Sequence, residues 1–189
     1  MVTMSSYGCW IQPTGSLLVT VLLALLLSPA IPRAEVTAAS ENGFVSRHVL
    51  TLEATPAETW MALTAQVAHW WDPAHSHSGD ATNFSMEARA GGCFCEALPD
   101  GGSVMHMQVV FAAPGKLLRL SGGLGPLQGM GVSGAMTFAL EAADEGRTTL
   151  RYQYVVAGYA PGGLAELAGP VDAVQLGQLE RLAAYLAAR

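Results

Sequence analysis

The feature that most constrains the fold is a change of hydrophobic period along the chain. Between residues 84 and 157, apolar and polar side chains alternate with a period of two, which is the pattern of strands that bury one face. Helical spacing occurs before and after this region, and turns containing glycine or proline divide it into short runs. We therefore expect an antiparallel meander that is covered on one side by helices.

The alternation also assigns side chains to the two faces of the predicted sheet. The apolar face is expected to carry the following residues: Met105, Met107, Val109, Phe111, Val132, Met136, Phe138, Leu140, Leu150, Tyr152, Tyr154 and Val156. In the same register, His106 and Arg151 are predicted to lie on the opposite face, away from the core. A strand over residues 44–53 precedes the meander.

A helix is predicted to begin directly after that first strand. Thr55 is a good N-cap, Pro56 suits the first helical position, and Glu58 completes a Thr-x-x-Glu capping box. Four residues at helical spacing form its expected buried stripe: Trp60, Leu63, Val67 and Trp71. Pro73 is expected to end the helix.

A second helix is predicted to begin at Pro170 and to run to the end of the chain. Its apolar stripe is Val171, Val174, Leu179, Leu182 and Leu186. Gly177 lies inside it at a cost of about 1 kcal/mol relative to alanine, which favours the close approach of another element. The order of strand, helix, about six strands and long helix predicts an α+β helix-grip fold. In this fold a curved antiparallel sheet wraps around the C-terminal helix.

The N-terminal residues are typical of an export signal. Residues 17–27 are an apolar run too short to span a bilayer comfortably, and small residues precede a cleavage position after Ala30. We expect a signal peptide over residues 1–30, a linker over 31–43, a folded domain over 44–189 and a periplasmic or secreted protein. Since residues 1–16 contain no Lys or Arg, an uncleaved leader that anchors the domain to a membrane is the alternative.

Charge and composition exclude several classes of partner. The chain has 15 acidic residues against 9 basic ones, a net charge of −6 and one lysine, Lys116. Nucleic-acid binding requires a basic surface that neutralises phosphates, and no such surface is encoded. Beyond residue 35 no segment is apolar enough to cross a membrane, so no stable membrane insertion of the mature domain is expected.

Two cysteines follow the leader, Cys93 and Cys95. On a strand they would share one face, because side chains alternate with period two. We interpret them as two half-buried thiols; a local disulfide and a metal pair are the alternatives.

Five segments resemble motifs of the START-like (SRPBCC) superfamily. They are residues 56–60 (PAETW), 70–73 (WWDP), 89–94 (RAGGCF), 123–128 (GLGPLQ, followed by Gly134) and 159–163 (YAPGG). The resemblance extends over residues 44–188 and is strongest to the polyketide-cyclase-like branch, which is related to the C-terminal domain of the heat-shock ATPase activator. It implies a deep apolar cavity between the sheet and the last helix. Members of the superfamily bind lipids, polyketides, hormones or aromatic metabolites, and they share no universal catalytic residue.

The resemblance predicts a protein that holds a small hydrophobic molecule without a cofactor or a catalytic residue. The expected cavity lining is Trp60, Trp71, Met105, Met107, Phe111, Met136, Phe138, Tyr152, Tyr154, Leu179 and Leu182. One alternative is a cyclase- or dehydratase-type enzyme that uses Tyr152, Tyr154 or the histidine cluster of residues 69–80 as acid and base. Another is a protein-interaction module of the co-chaperone type, which would have a filled interior and an exposed apolar patch.

A polar cluster follows the first helix in residues 69–80, where His69 and Asp72 precede His75, His77 and Asp80. Histidine and carboxylate side chains are ligands for divalent metals and groups for acid–base chemistry near neutral pH. Because no helical or strand spacing holds them in a preformed geometry, we interpret the segment as a solvated loop. A metal site at His75, His77 and Asp80 is the alternative, and no metal is expected.

Overall fold

The computed structural model describes residues 35–189, which form one antiparallel sheet and two helices. The strands are β1 (Glu35–Ser40), β2 (Gly43–Leu52), β3 (Phe84–Met86), β4 (Cys93–Ala97), β5 (Ser103–Ala113), β6 (Leu117–Ser121), β7 (Gly131–Ala142) and β8 (Thr148–Tyr159). The helices are α1 (Pro56–Ala65) and α2 (Ala165–Ala187). The strand order is β1-β2-β8-β7-β6-β5-β4-β3, and α2 packs against β2 and β1. The predicted helix-grip architecture is confirmed.

The central strands alternate as predicted. In β8 the inward residues from Leu150 to Val156 are buried, whereas Arg151 between them is exposed. One difference lies at the N-terminal side. Residues 35–40 were assigned to a linker but form β1, which pairs with β2 through a register that contains one irregularity. The predicted signal peptide, residues 1–30, lies outside the described residues.

Helix α1 begins at the predicted position and ends earlier than predicted. Glu58 N donates to Thr55 Oγ1 at 3.3 Å and Thr55 N donates to Glu58 Oε2 at 2.9 Å, so the capping box is complete. The helix ends at Ala65 rather than near Pro73. The chain turns back there because the indole of Trp70 donates to the carbonyl of Ala62, one of the last carbonyls without a partner inside the helix.

The stripe predicted for α1 is buried although half of it lies beyond the helix. Trp60 and Leu63 are on α1, and Val67 and Trp71 are in or beside a short 3₁₀ turn that follows. Helical spacing therefore identified the buried side chains correctly but not the backbone conformation that carries the last two.

Helix α2 begins at Ala165, five residues before the predicted start, and contains Pro170. Proline lacks the N–H that would reach the carbonyl of Glu166, so one helical hydrogen bond is lost near the first turn. A methyl group built at Gly177 would meet nothing within 4 Å. The expected close approach of another element at Gly177 is therefore wrong.

Strand β5 carries two irregularities that the alternating pattern does not reveal. Its pairing with β4 shifts between Phe94 and Cys95, and its pairing with β6 shifts between Val109 and Phe111. Each shift inserts an extra residue, which reverses the side-chain alternation. His106 is the first inserted residue and is only 4% exposed, so the prediction that it faces away from the core is wrong. Phe111 follows the second shift and is 48% exposed.

The two cysteines of β4 are half-buried on the same side of the strand, as predicted. They are joined by a disulfide between Cys93 and Cys95, which replaces the interpretation as two free thiols. Among residues 35–189, no helix is long and apolar enough to cross a membrane.

Candidate functional site

A cleft opens beside α2 on the side that faces away from β1. Its volume is about 500 Å³, which lies within the range of about 300–1,000 Å³ typical of small-molecule sites. Three segments form it: the turn after Trp71, the loop between β6 and β7, and the N-terminal half of α2. The lining residues are Trp71, Ala74, His75, Ser76, His77, His106, Leu124, Gly125, Pro126, Leu167, Pro170, Val171, Val174 and Gln175.

The cleft exists because α2 covers only part of the sheet. The helix contacts β2 and β1 at one edge, whereas α1 contacts β7 and β3 farther across. Between these two covers, the turn after Trp71 and the loop between β6 and β7 border the inner face at the cleft. Leu167, Val171 and Val174 follow one another at helical spacing on the side of α2 that borders this gap. The cleft is therefore mainly apolar, with a histidine-containing wall opposite the helix.

Glu96 lies behind the histidine wall and is fully buried. Its carboxylate accepts hydrogen bonds from His77 N at 3.1 Å, from Ser78 N at 2.5 Å and from His106 Nε2 at 2.9 Å. The His106 ring also packs on Phe84, with the centroids 4.9 Å apart, and lies 5.7 Å from the His77 ring. The buried carboxylate thus holds both the wall loop and the His106 ring in place.

The environment shifts the pKa values of this pair. Burial by itself raises the pKa of Glu96, but the hydrogen bonds from Ser78, His77 and His106 outweigh burial and lower the pKa to about 2. Burial also lowers the pKa of His106, and the neighbouring Glu96 offsets this only in part. Near neutral pH the pair therefore consists of a carboxylate and a neutral imidazole.

A second histidine–carboxyl cluster lies under α2 and does not line the cleft. Asp172 Oδ1 accepts hydrogen bonds from Ser46 Oγ at 2.5 Å and from His48 Nε2 at 3.0 Å. Ser46 and His48 are inward residues of β2, and all three side chains are buried. His48 Nδ1 is the one fully buried side-chain nitrogen or oxygen that lacks a hydrogen-bond partner in the described part of the chain. We interpret this cluster as a link between the sheet and α2.

The two candidate tyrosines lie in the core beside the cleft, and neither is among its lining residues. Tyr152 OH donates to Gln175 Oε1 at 2.8 Å. Tyr154 OH accepts from Leu124 N at 3.1 Å and donates to Gly122 O at 3.3 Å. Burial raises the pKa of Tyr154 to about 12 and that of Tyr152 well above 10. Both phenols therefore stay protonated and position cleft residues through hydrogen bonds.

The structure distributes the predicted cavity residues over four environments. Trp71 lines the cleft, and Met136 and Phe138 line a void of about 10 Å³ inside the core. Met105 is 55% exposed on the outer side of β5, as is Phe111 after the second irregularity. The remaining residues are packed core side chains: Trp60, Met107, Tyr152, Tyr154, Leu179 and Leu182.

The polar cluster of residues 69–80 is also divided. His75 and His77 line the cleft, whereas His69 stacks on Tyr185 at 5.5 Å. Asp72 and Asp80 cap short 3₁₀ turns, through hydrogen bonds from Ala74 N and Thr82 N respectively. Among residues 35–189, no three His, Cys, Asp or Glu side chains come together in a metal-binding arrangement.

The sequence analysis did not identify three buried polar residues of the two clusters, namely Glu96, His106 and Asp172. Glu96 carried a signal, because it shares the inward face of β4 with Phe94 at a spacing of two residues. The sequence also contained a signal for the burial of Asp172, since Asp172 lies at helical spacing between the buried Ala168 and Leu179. His106 carried none, because its burial depends on the irregularity in β5.

Solved structures with the same architecture are known, although no protein-family model and no curated protein matches the sequence. Mll3558 from Rhizobium loti has a TM-score of 0.55 and 24% identity, over 75% of this chain and 96% of that one. CalU16 from Micromonospora echinospora has a TM-score of 0.53 and 15% identity, over 76% of each chain. DynU16, a protein in the dynemicin biosynthetic locus, has a TM-score of 0.51 and 21% identity, over 75% of this chain and 46% of that one. These similarities show a shared helix-grip fold, while membership in the START-like superfamily stays a prediction.

Proposed function

We propose that this protein holds a small hydrophobic molecule in the cleft between α2 and the sheet. The observation that carries the proposal is the cleft itself, whose volume is about 500 Å³ and whose walls combine apolar side chains with a few polar groups. An interaction module of the co-chaperone type predicts a filled interior and an exposed apolar patch, and the packed core and the exposed Met105 and Phe111 fit that alternative. The cleft of about 500 Å³ is the observation that favours ligand binding instead.

A substitution that fills the cleft tests this proposal directly. Val174 lines the cleft from α2, so Val174→Trp should abolish binding of the neutral lipophilic fluorescent probe N-phenyl-1-naphthylamine. Ala184→Trp is the matched control, because Ala184 lies exposed on the same helix. Binding is measured by fluorescence titration and folding by circular dichroism. Equal binding by both folded variants, or no binding by the unchanged protein, would refute the proposal.

Native mass spectrometry of the protein purified from its own host identifies a natural ligand. We expect an excess mass that matches one small apolar molecule per chain and that is lost in Val174→Trp.

We also propose that the protein is exported. The apolar run at residues 17–27 and the small residues before position 31 support this. The disulfide between Cys93 and Cys95 suits an oxidising compartment. Cell fractionation and N-terminal sequencing of the full-length product test the proposal, with a mature N-terminus at Ile31 as the expected result. A cytosolic product that retains Met1 would contradict it.

An enzyme of cyclase or dehydratase type is the second candidate, and the Glu96–His106 pair at the cleft favours it. A neutral imidazole held by a carboxylate is a suitable general base for removing a proton next to a carbonyl. The test is deuterium exchange of α-protons in a cleft-bound aromatic ketone, followed by NMR in heavy water. Exchange that equals the buffer rate, or that persists in His106→Phe, would eliminate this candidate.

A further inference from the structure

His106 is the cleft residue whose hydrogen-bonding role is set by a neighbour. Its Nε2 lies 2.9 Å from Glu96 Oε2, and an ionised carboxylate only accepts hydrogen bonds. The proton of the imidazole must therefore lie on Nε2. This arrangement resembles the way a carboxylate behind a histidine generally fixes its tautomer.

The second ring nitrogen of His106 is then an acceptor. Burial lowers the pKa of His106, so Nδ1 carries no proton near neutral pH. No side-chain or backbone group within residues 35–189 bonds to Nδ1 of His106. This nitrogen is not fully enclosed, because the single fully buried side-chain nitrogen or oxygen without a partner in that range is His48 Nδ1. Since His106 lines the cleft, a bound molecule can reach this nitrogen.

The electrostatic surroundings disfavour an anion at the same place. The charged carboxylate of Glu96 lies directly behind the ring, and the whole chain carries a net charge of −6. The hydroxyl of Ser76, which lines the wall, has its hydrogen engaged elsewhere, because Ser76 Oγ donates to Pro73 O at 2.7 Å.

We propose that the cleft selects neutral apolar molecules that carry a hydroxyl group, alcohol or phenol, whose hydrogen is accepted by His106 Nδ1. This rests on the proposed binding function and specifies the class of ligand. A molecule of the same size without a donor displaces water from the nitrogen and leaves it without a partner, and a carboxylate ligand adds repulsion from Glu96.

The test compares three matched probes on the full-length, otherwise unchanged protein at pH 7.5: 2-naphthol, 2-methoxynaphthalene and 2-naphthoate. We expect 2-naphthol to bind about tenfold more tightly than its methyl ether, as one net hydrogen bond implies. The naphthoate is expected to bind most weakly. Affinities are measured by fluorescence titration with calorimetry as a check, and this comparison needs no variant.

Two substitutions then assign the preference to one residue. His106→Phe keeps a planar ring but removes the acceptor. In this variant 2-naphthol and 2-methoxynaphthalene should bind with about equal affinity. His69→Phe is the control, because His69 is exposed, stacks on Tyr185 and does not line the cleft, and it should keep the full preference. Folding of both variants is checked by circular dichroism.

The outcomes separate this inference from the function on which it rests. If none of the probes and no lipophilic dye binds, the binding function fails. Equal affinity of 2-naphthol and its methyl ether, or tightest binding of the naphthoate, overturns the hydroxyl inference and leaves the binding function intact. An unchanged naphthol preference in folded His106→Phe overturns it as well.

Discussion

Two histidines face inward from the same sheet, each hydrogen-bonded to a carboxyl group, yet the two clusters differ in what covers them. His48 on β2 lies beneath α2, where Asp172 and Ser46 complete its surroundings. His106 on β5 lies where the cover is made of loops, and it lines the cleft. The same pair of chemical groups thus serves as a link between elements in one place and as part of a binding wall in the other.

The difference follows from the position of α2 on the sheet. The helix contacts β1 and β2, so polar side chains there have only each other as partners and must satisfy their hydrogen bonds internally. Toward β5 the inner face is not covered by a helix, so a polar group there remains reachable by a molecule from outside. The four predictions below test this contrast between a sealed and an open region.

Asp172→Ala should produce the largest effect, because it removes the partner of both Ser46 and His48 in the sealed region. We expect a loss of about 3 kcal/mol in the free energy of unfolding, since two buried polar groups are left with reduced pairing. Urea denaturation measures the loss. Asp80→Ala is the comparison, since Asp80 caps an exposed turn, and it should cost much less than Asp172→Ala. An equal loss of unfolding free energy in Asp172→Ala and Asp80→Ala would contradict the buried pairing assigned to Asp172.

Glu96, which lies behind the cleft wall, should make the free energy of unfolding depend on pH. Its pKa is about 2 in the folded protein against an ordinary value of 4.5. A carboxyl with a lowered folded pKa stabilises the fold above pH 4.5, and the contribution disappears as the pH falls toward 2. The difference in unfolding free energy between the wild type and Glu96→Gln should therefore be up to about 3 kcal/mol at pH 7 and shrink below pH 4.5.

Chemical denaturation at several pH values follows this difference. Glu87→Gln changes an exposed carboxylate, so its unfolding free energy should differ little from that of the wild type at any pH. If the difference in unfolding free energy between the wild type and Glu96→Gln does not change with pH, the assigned ionisation of Glu96 is contradicted.

Gly134→Ala tests how tightly the sheet is packed around Tyr154, beside the cleft. A methyl group at Gly134 would lie 2.5 Å from the ring of Tyr154 and 2.7 Å from the carbonyl of Val155. Because backbone and a buried ring must shift to accept it, we expect a loss of about 2 kcal/mol. The thermal unfolding midpoint measures the loss, and an unchanged midpoint would show that this region has unused space.

Gly177→Ala should produce the smallest effect and the opposite sign. Gly177 lies within α2, a methyl group there meets nothing within 4 Å, and alanine is the better helix former. The free energy of unfolding should rise by up to about 1 kcal/mol. Thermal unfolding of the full-length variant measures the gain. Destabilisation would mean that the side of α2 beside Gln178 is not open.

The architecture was predictable from the sequence because it depends on local signals. The capping box at Thr55 and Glu58 forms as predicted, and alternation located the strands around Tyr152 and Tyr154. Two boundaries were misplaced. The chain leaves α1 at Ala65 because Trp70 bonds back to the helix, and α2 begins before Pro170. Both depend on contacts that spacing along the sequence does not contain.

The site was predictable only in part. Trp71, His75 and His77 were named and do line the cleft, whereas most of the predicted cavity residues are packed core. The expected cavity lay deep between the sheet and the helix. The buried polar residues of α2, such as Asp172 and Gln175, bring the helix onto the sheet instead, and the open space remains beside it.

By itself the sequence determined the class of fold, since hydrophobic period, capping and turn residues act within a few neighbouring positions and need no knowledge of distant contacts. Only the tertiary structure decided which polar groups meet. An irregularity in the pairing of β5 with β4 turns His106 inward onto Glu96, and the packing of α2 on β2 joins Asp172 to residues more than a hundred positions away. Such pairings arise from register and helix placement, which the whole packed domain sets together.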